Sequence, residues 1–423
     1  MTKRHQNNYE IYCGCENHQS DMEQFYSKLP LWSYNSVFIC LSLIAGVYTL
    51  LNRLNGLLLL VYLIALLLFV FAMSNKRISS LIFMIPKYAA WAIAIAIMVF
   101  MIISAYKVYP TCGAGPLGGD RDEALELAAR ALLHGRYPYY ELTGVSVGWN
   151  NSITPFPGAV LFAIPFVLAG CIVYQNHFWL MAFFLNATKQ LASVSFGCFA
   201  FMLLTFTPTV FGETKCGGDL ATNAIYVLVA GSLFLRANLY NKTSRFRILT
   251  ACFLGISLAS RSVFVLILPQ FIALLCRHVG IRKTIKAMSI VFISAIAVTL
   301  PFYLYDPKGF TPLGVANITS RWSHLVPFTN IWIPGAGMII SIALAIKCRS
   351  MPQFYRNCAI ALATPIIIVI ILSNWESIII KKESIILFWM NYIQLSIPFS
   401  VIGWVSAVYF KNRDSFQNPE KVY

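Results

Sequence analysis

The residues best suited to chemistry stand in the polar, charged segment from Pro110 to Gly158, which separates two long apolar regions. Asp120 and Asp122 open an amphipathic helical pattern that ends at Leu133. A carboxylate in such a place suits a general base, because it can take the proton of an attacking hydroxyl group. Asp120 also fits a helix N-cap, with Glu123 completing a capping box. The two roles are compatible, and Glu123 is itself a candidate substrate ligand.

Four residues outside this segment are further candidate substrate ligands. Arg261 interrupts an apolar region, where a charge is costly and often functional, although it could extend toward lipid headgroups instead. Asp219 precedes an apolar run, where it could equally cap a helix. Arg321 and His324 lie in the polar segment 305–324, in which a histidine is commonly only solvated. The guanidinium groups of Arg261 and Arg321 could make charge-assisted hydrogen bonds to an anionic group.

The triplet Asp120-Arg121-Asp122 also spells DxD, a pattern that holds a divalent metal in some enzymes. On a regular helix, residues two apart point away from each other, so a shared metal would require an irregular helix start. We therefore expect no metal and no other cofactor, with a divalent metal as the open alternative.

These residues must be positioned by helices in a membrane. Of the 423 residues, 58% are hydrophobic and 11% are charged, which is typical of an all-α, multi-pass integral membrane protein. A net charge of +16 would suggest nucleic-acid binding in a soluble protein. Here the Lys and Arg residues stand in short loops between apolar runs, as the positive-inside rule describes. We expect membrane lipids and no nucleic acid as partners.

Charge also predicts the topology. The apolar runs of membrane length are 34–51, 56–73, 89–106, 156–174, 184–208, 220–236, 287–304, 329–347, 357–373 and 386–410. Basic residues place both termini in the cytosol, so the loop 107–155 lies outside. The apolar segment 248–276 has basic residues at both ends, and we therefore expect two short helices with Ser260-Arg261-Ser262 at the tip of a hairpin. The total is about twelve transmembrane segments. This topology puts Cys112 and Cys216 outside the cytosol, where a disulfide is possible.

Three stretches in this order resemble the GT-C class of polytopic glycosyltransferases, which use polyprenyl- or dolichyl-phosphate sugars. They are GGDRDEALELAARALLHGRYPYY, TPFPGAVLFAIPFVLAG and GISLASRSVFVLILPQ, and together they run from about Asp120 to Pro269. The mannosyltransferase-like and aminoarabinosyltransferase-like members are the most similar. The resemblance implies a GT-C-like bundle with an amphipathic helix and a catalytic carboxylate, here Asp120 or Asp122, in the first large outer loop. It also implies a basic residue that holds the lipid phosphate. Relatives often have Lys there, whereas this chain has Arg261.

The same resemblance divides the chain, since members of the class begin with one span before the catalytic loop and this chain has three. The parts are a cytosolic tail 1–33, an additional transmembrane hairpin 34–88, a GT-C-like catalytic module 89–410 with the outer loop 107–155, and a cytosolic tail 411–423. The family members that it resembles favour a prokaryotic plasma membrane.

The expected function is an inverting transfer of a hexose-type sugar from a polyprenyl-phosphate donor to an acceptor on the extracytoplasmic side. The acceptor is a glycan, a lipid or a protein. Two alternatives stay open. A multipass transporter or flippase of lipid-linked sugars would place ionisable residues at mid-membrane, where Lys189 is the only candidate. An O-antigen polymerase or ligase acts on similar lipids but works with arginines rather than an acidic pair.

Overall fold

The computed structural model describes residues 30–53, 56–112, 121–144, 151–240, 242–314 and 318–417. Helices dominate this part of the chain, as the sequence predicts for an all-α membrane protein. The α-helices are α1 Leu31–Arg53, α2 Gly56–Ser74, α3 Lys76–Met84, α4 Lys87–Cys112, α5 Arg121–Leu133, α6 Pro157–Leu168, α7 Tyr174–Leu191, α8 Val194–Thr205, α9 Pro208–Cys216, α10 Leu220–Leu239, α11 Ser244–Leu258, α12 Leu268–Val279, α13 Ile281–Tyr305, α14 Thr329–Ile346, α15 Met351–Trp375 and α16 Ile397–Gln417.

Shorter elements join these helices. The 3-10 helices are Pro138–Tyr140, Ser262–Ile267, Thr311–Gly314, Ser320–Trp322 and Phe388–Leu395, and Glu376–Ile380 is a π-helical turn. The strands β1 (Leu142–Thr143) and β2 (Asn151–Ser152) pair antiparallel.

By length and apolar composition, eight of the described helices could cross a membrane, and ten if each of two bent pairs counts as one span. The bent pairs are α8 with α9, at 75°, and Phe388–Leu395 with α16, at 51°. The structure therefore supports a multi-pass membrane protein but not the expected number of about twelve spans.

Two of the predicted spans are wrong in their boundaries. The run 156–174 contains α6, whose 12 residues give a length of only about 18 Å, too short for a hydrocarbon core of about 30 Å. The run 184–208 contains a reversal, because Ala192 adopts a left-handed conformation (φ 48°) between α7 and α8. α8 is therefore a separate helix from α7. The Asn176 side chain at its start donates to the Gly218 carbonyl, so α7 begins near the turn that carries Asp219.

The helices have two chemically different ends. The Arg261 end contains α5, the turn between α9 and α10, the connection between α11 and α12, and Phe388–Leu395. The opposite end contains the connections that follow α3, α7, α10, α12 and α14. There Ser195 Oγ donates to the Ile85 carbonyl, and Arg277 donates to the Ile346 carbonyl. Lys189 is exposed in the last turn of α7, at this opposite end and away from mid-bundle.

The predicted hairpin is present. Arg261 meets Asp219 at the start of α10, whereas Phe271 of α12 packs against Phe234, near the other end of α10. The chain therefore reverses between α11 and α12. Ser341 of α14 donates to the Leu266 carbonyl, and the Gln270 side chain donates to the Ser341 carbonyl over 2.7 Å. These bonds satisfy buried polar groups, since lipid offers none.

The connection from α5 to α6 is held by backbone groups and tyrosines. Tyr139 donates to the Pro155 carbonyl over 3.2 Å, and Tyr137 donates to the Phe302 carbonyl of α13 over 3.0 Å. At the start of α6, the Gly158 N–H donates to the Ala259 carbonyl over 2.7 Å. A side chain at Gly158 would clash, because its Cβ would lie 2.5 Å from that oxygen. The glycine lets α6 approach the hairpin tip closely.

Candidate functional site

Four segments that are distant in sequence surround one small polar cavity at the Arg261 end. Its volume is about 60 Å³, and we call it the arginine cavity. It is lined by Arg121, Ala124, Thr143, Ser152, Thr154, Pro155, Arg261 and Tyr392. The wall therefore combines two guanidinium groups with several hydroxyl groups, which are donors suited to an anion.

Arg261 is held by Asp219 in a buried ion pair. Its Nη2 atom donates to both carboxylate oxygens of Asp219, over 2.7 and 2.6 Å. The side chains of Asp219 and Arg261 are only 1% and 14% exposed. Asn223 also donates to Asp219 over 2.8 Å. The possible role of Asp219 as a side-chain cap of α10 is wrong, because its carboxylate makes no capping hydrogen bond.

The pairing leaves part of the Arg261 guanidinium available. A guanidinium has five N–H donors, and Asp219 occupies the Nη2 group. The Nε atom is buried and has no hydrogen-bond partner among the described residues. A buried donor without a partner destabilises the folded protein, so a ligand that accepts a hydrogen bond from Arg261 would be stabilising.

The second arginine of the cavity forms its own pair, which sequence reasoning missed. Arg121, the first residue of α5, forms a salt bridge with Glu213 of α9. The side chain of Asn391 donates to the same Glu213 oxygen over 2.9 Å. The Arg121 guanidinium also lies 5.1 Å from the centre of the Tyr392 ring, as a cation–π contact. In the sequence, Glu213 stands in the stretch between the apolar runs 184–208 and 220–236.

Asp122 faces a different side of α5 from Arg121. Its carboxyl interacts with the Tyr109 side chain and lies against Gly217, where a Cβ would come within 2.9 Å of the Asp122 Cβ. Gly217 has a φ of +80°, so glycine is favoured there by conformation as well as by space. Burial raises the pKa of Asp122 to about 6, although the Tyr109 hydrogen bond opposes the shift. The other predicted carboxylate, Asp120, lies outside the described residues.

The remaining predicted ligands do not line the described arginine cavity. Glu123 accepts a hydrogen bond from the Gly144 N–H over 2.9 Å, which ties α5 to the strand pair. Arg321 and His324 are exposed. The His324 ring lies 3.6 Å from Glu376 and 2.8 Å from the Arg321 carbonyl. The structure thus brings Asp219, Arg261 and the start of α5 together and leaves these three residues apart.

A larger cavity lies beside α5 and the end of α4. Its volume is about 520 Å³, and we call it the tyrosine cavity. It is lined by Ala105, Tyr106, Tyr109, Glu126, Val167, Gly170, Cys171, Ile172, Val173 and Tyr174. Tyr109 belongs to this wall and also contacts Asp122, so the carboxyl lies next to the cavity.

Two further expectations concern metal and disulfide chemistry. Within the described ranges, no group of three or more His, Cys, Asp and Glu side chains is placed to hold a metal ion. The DxD triplet includes Asp120, so its metal binding stays a prediction. Cys216 is disulfide-bonded, and the side chain of its predicted partner Cys112 lies outside the described part.

No protein-family model matches the chain, and no curated protein or solved structure matches it either.

Proposed function

We propose that this chain is a membrane glycosyltransferase that moves a hexose-type sugar from a polyprenyl-phosphate donor to an acceptor on the extracytoplasmic side. The observation that carries the proposal is the arginine cavity, into which α5 and the hairpin each bring one guanidinium group, Arg121 and Arg261. Hydroxyl groups of Thr143, Ser152 and Thr154 complete a wall that suits a phosphate group.

The neighbouring carboxyl supplies the other half of the chemistry. Asp122 takes the proton of the acceptor hydroxyl as that oxygen attacks the anomeric carbon. The bond from this carbon to the phosphate oxygen breaks, and the polyprenyl phosphate leaves with the electron pair. Arg121 and Arg261 stabilise its charge. One displacement inverts the anomeric centre. A base with a pKa near 6 is ionised at neutral pH yet still binds a proton well.

The distribution of basic residues supports the proposed orientation. Lys76, Arg245, Arg277 and Arg349 lie at the opposite end of the bundle, which the positive-inside rule assigns to the cytosol. Both termini are then cytosolic and the arginine cavity opens on the other side. With the ten candidate spans, α7 and α11 as further crossings give twelve segments, in what we propose is a prokaryotic plasma membrane.

The test is sugar transfer from a radiolabelled polyprenyl-phosphate hexose in membranes. Asp122→Asn should lower the rate by about 10²- to 10⁴-fold, the usual contribution of a positioned base. Asp120→Asn is assayed in parallel. Asp306→Asn is the matched control, because Asp306 is a partly exposed carboxylate at the same end that accepts from Tyr140 over 2.9 Å. Transfer at the wild-type rate in both the Asp120 and Asp122 variants would refute the proposed base.

A second candidate is an enzyme of the O-antigen polymerase or ligase type, favoured by the two arginines in one cavity. Arg121→Lys and Arg261→Lys keep the charge but remove the forked geometry. Loss of transfer in both lysine variants, together with normal transfer in Asp122→Asn, would favour this arginine-based chemistry. Flipping of the lipid that depends on Lys189 would instead favour transport.

A further inference from the structure

The tyrosine cavity differs from the arginine cavity in size and charge. Its volume of about 520 Å³ falls in the range of about 300–1,000 Å³ that small-molecule sites occupy. The arginine cavity is much smaller, at about 60 Å³. No Lys or Arg side chain lines the described wall of the tyrosine cavity. Its carboxylate, Glu126, is already paired with Arg130 over 2.7 Å.

We infer that the tyrosine cavity binds the acceptor, as a neutral, hydroxyl-bearing carbohydrate. This inference rests on the proposed function and names the substrate class of the acceptor site of the proposed enzyme. Tyr106, Tyr109 and Tyr174 offer ring faces for the C–H surface of a sugar and hydroxyl groups for its oxygens. Glu126 is an acceptor for sugar hydroxyl groups. A phosphate would find no cation on this wall.

The position of Tyr109 connects this cavity to the proposed base. Its ring lines the cavity, and its hydroxyl interacts with the Asp122 carboxyl. An acceptor hydroxyl bound at this wall therefore lies beside the group that removes its proton. Arg121, the neighbour of Asp122 at the start of α5, lines the arginine cavity. The start of α5 thus stands between the acceptor site and the phosphate site.

A thiol in the cavity wall provides a direct test. Cys171 is a free cysteine that lines the tyrosine cavity and is partly exposed. The protein in lipid nanodiscs is treated with a methanethiosulfonate reagent, and modification of Cys171 is followed by peptide mass spectrometry. Methyl glucoside, methyl mannoside and methyl galactoside are the probes, with no donor present. At least one should slow the labelling about threefold at about twice its Kd, as mass action requires.

Variants locate the bound sugar. Tyr106→Ala and Tyr174→Ala should abolish the protection, while Tyr88→Ala, at the other end of α4, should keep it. Labelling of Cys276 in α12 serves as the internal reference, and an unchanged Cys276 rate shows that each variant is folded. Glu126→Gln is a milder change that should weaken the protection without removing an aromatic ring.

The outcomes separate the two proposals. Protection of Cys171 by none of the three hexosides overturns the acceptor site. Protection by farnesol or by inorganic phosphate, without protection by a hexoside, overturns it too, because the cavity would then hold a lipid chain or an anion. The assay needs no turnover, so normal transfer with unprotected Cys171 leaves the proposed function standing. Protection without transfer supports the site and counts against the proposed enzyme.

Discussion

The two ends of the helix bundle differ in how their charged side chains are paired and exposed. At the Arg261 end, the side chains of Arg261 and Arg121 are only 14% and 17% exposed, each is paired with a carboxylate, and both line the arginine cavity. At the opposite end the charges are mostly basic and many are exposed, as Arg282 shows at the start of α13. Burying an ion pair costs several kcal/mol per ion before any attraction is counted, whereas an exposed cation stays hydrated.

This contrast separates two signals that look alike in the sequence. A basic residue at the opposite end reports which side of the membrane its loop occupies. A basic residue at the Arg261 end that is largely buried against a carboxylate is not explained by membrane topology. We propose that such a residue binds a ligand. Substitutions at the two ends should therefore differ strongly in effect.

The largest effect is expected where one member of a buried pair is removed. Asp219→Ala leaves Arg261 buried without its partner, and we expect a loss of about 3–5 kcal/mol in the free energy of unfolding. Thermal unfolding of the purified protein, followed by tryptophan fluorescence, measures the change. The double variant Asp219→Ala, Arg261→Met should recover most of the loss, because no unpaired charge remains. A single variant as stable as wild type would show that the pair is not buried.

A smaller effect is expected from pH acting on Asp122. Its pKa is raised to about 6, so the proposed base is charged above that value, and we expect transfer to rise with pH and level off above about 7. At pH 5 the rate should be about tenfold below the plateau. The folded state holds this proton more tightly than the unfolded state, so stability falls as the pH rises from about 4 to about 6, and charged Asp122 is destabilising at neutral pH. Asp122→Asn should therefore unfold at a higher temperature than wild type at pH 7.5. A flat pH profile between 5 and 7 would contradict the assignment.

The smallest effect is expected at the opposite end. Arg282 and Lys283 are exposed at the start of α13, and replacing each with Ala should change the free energy of unfolding by no more than about 0.5 kcal/mol. Transfer should be unchanged. The same unfolding and transfer assays apply, with Asp219→Ala as the sensitive reference. A loss as large as that of Asp219→Ala would remove the distinction between the two ends.

The sequence predicted the parts of the fold that depend on strong composition signals. Basic residues on both sides of the segment 248–276 predicted the hairpin and placed Arg261 at its tip. The turn at Ala192 could not be predicted, because an alanine with positive φ carries none of the glycine, proline or asparagine signals of a reversal. The short α6 was missed because its apolar run continues into the next turn.

The candidate site was predicted residue by residue but not as pairs. Asp219 and Arg261 were both named, yet their contact depends on how α10 packs against the hairpin. Arg121 and Glu213 are 92 residues apart, and the sequence has no local pattern that links them. Partner choice between distant charges is set by packing, which single-sequence patterns do not encode. The resemblance to GT-C enzymes stays a prediction that transfer assays must decide.

The hairpin tip is anchored by main-chain groups, since the Phe156 and Gly158 N–H groups donate to the Ser260 and Ala259 carbonyls over 3.0 and 2.7 Å. Such an anchor uses no side chains, so it should tolerate most side-chain replacements around it apart from those of the proposed site, such as Arg261. Gly158 is a further exception, because even a methyl group there would collide with main-chain oxygens. In diverged homologues we therefore expect Gly158 to be conserved even where the residues around it vary.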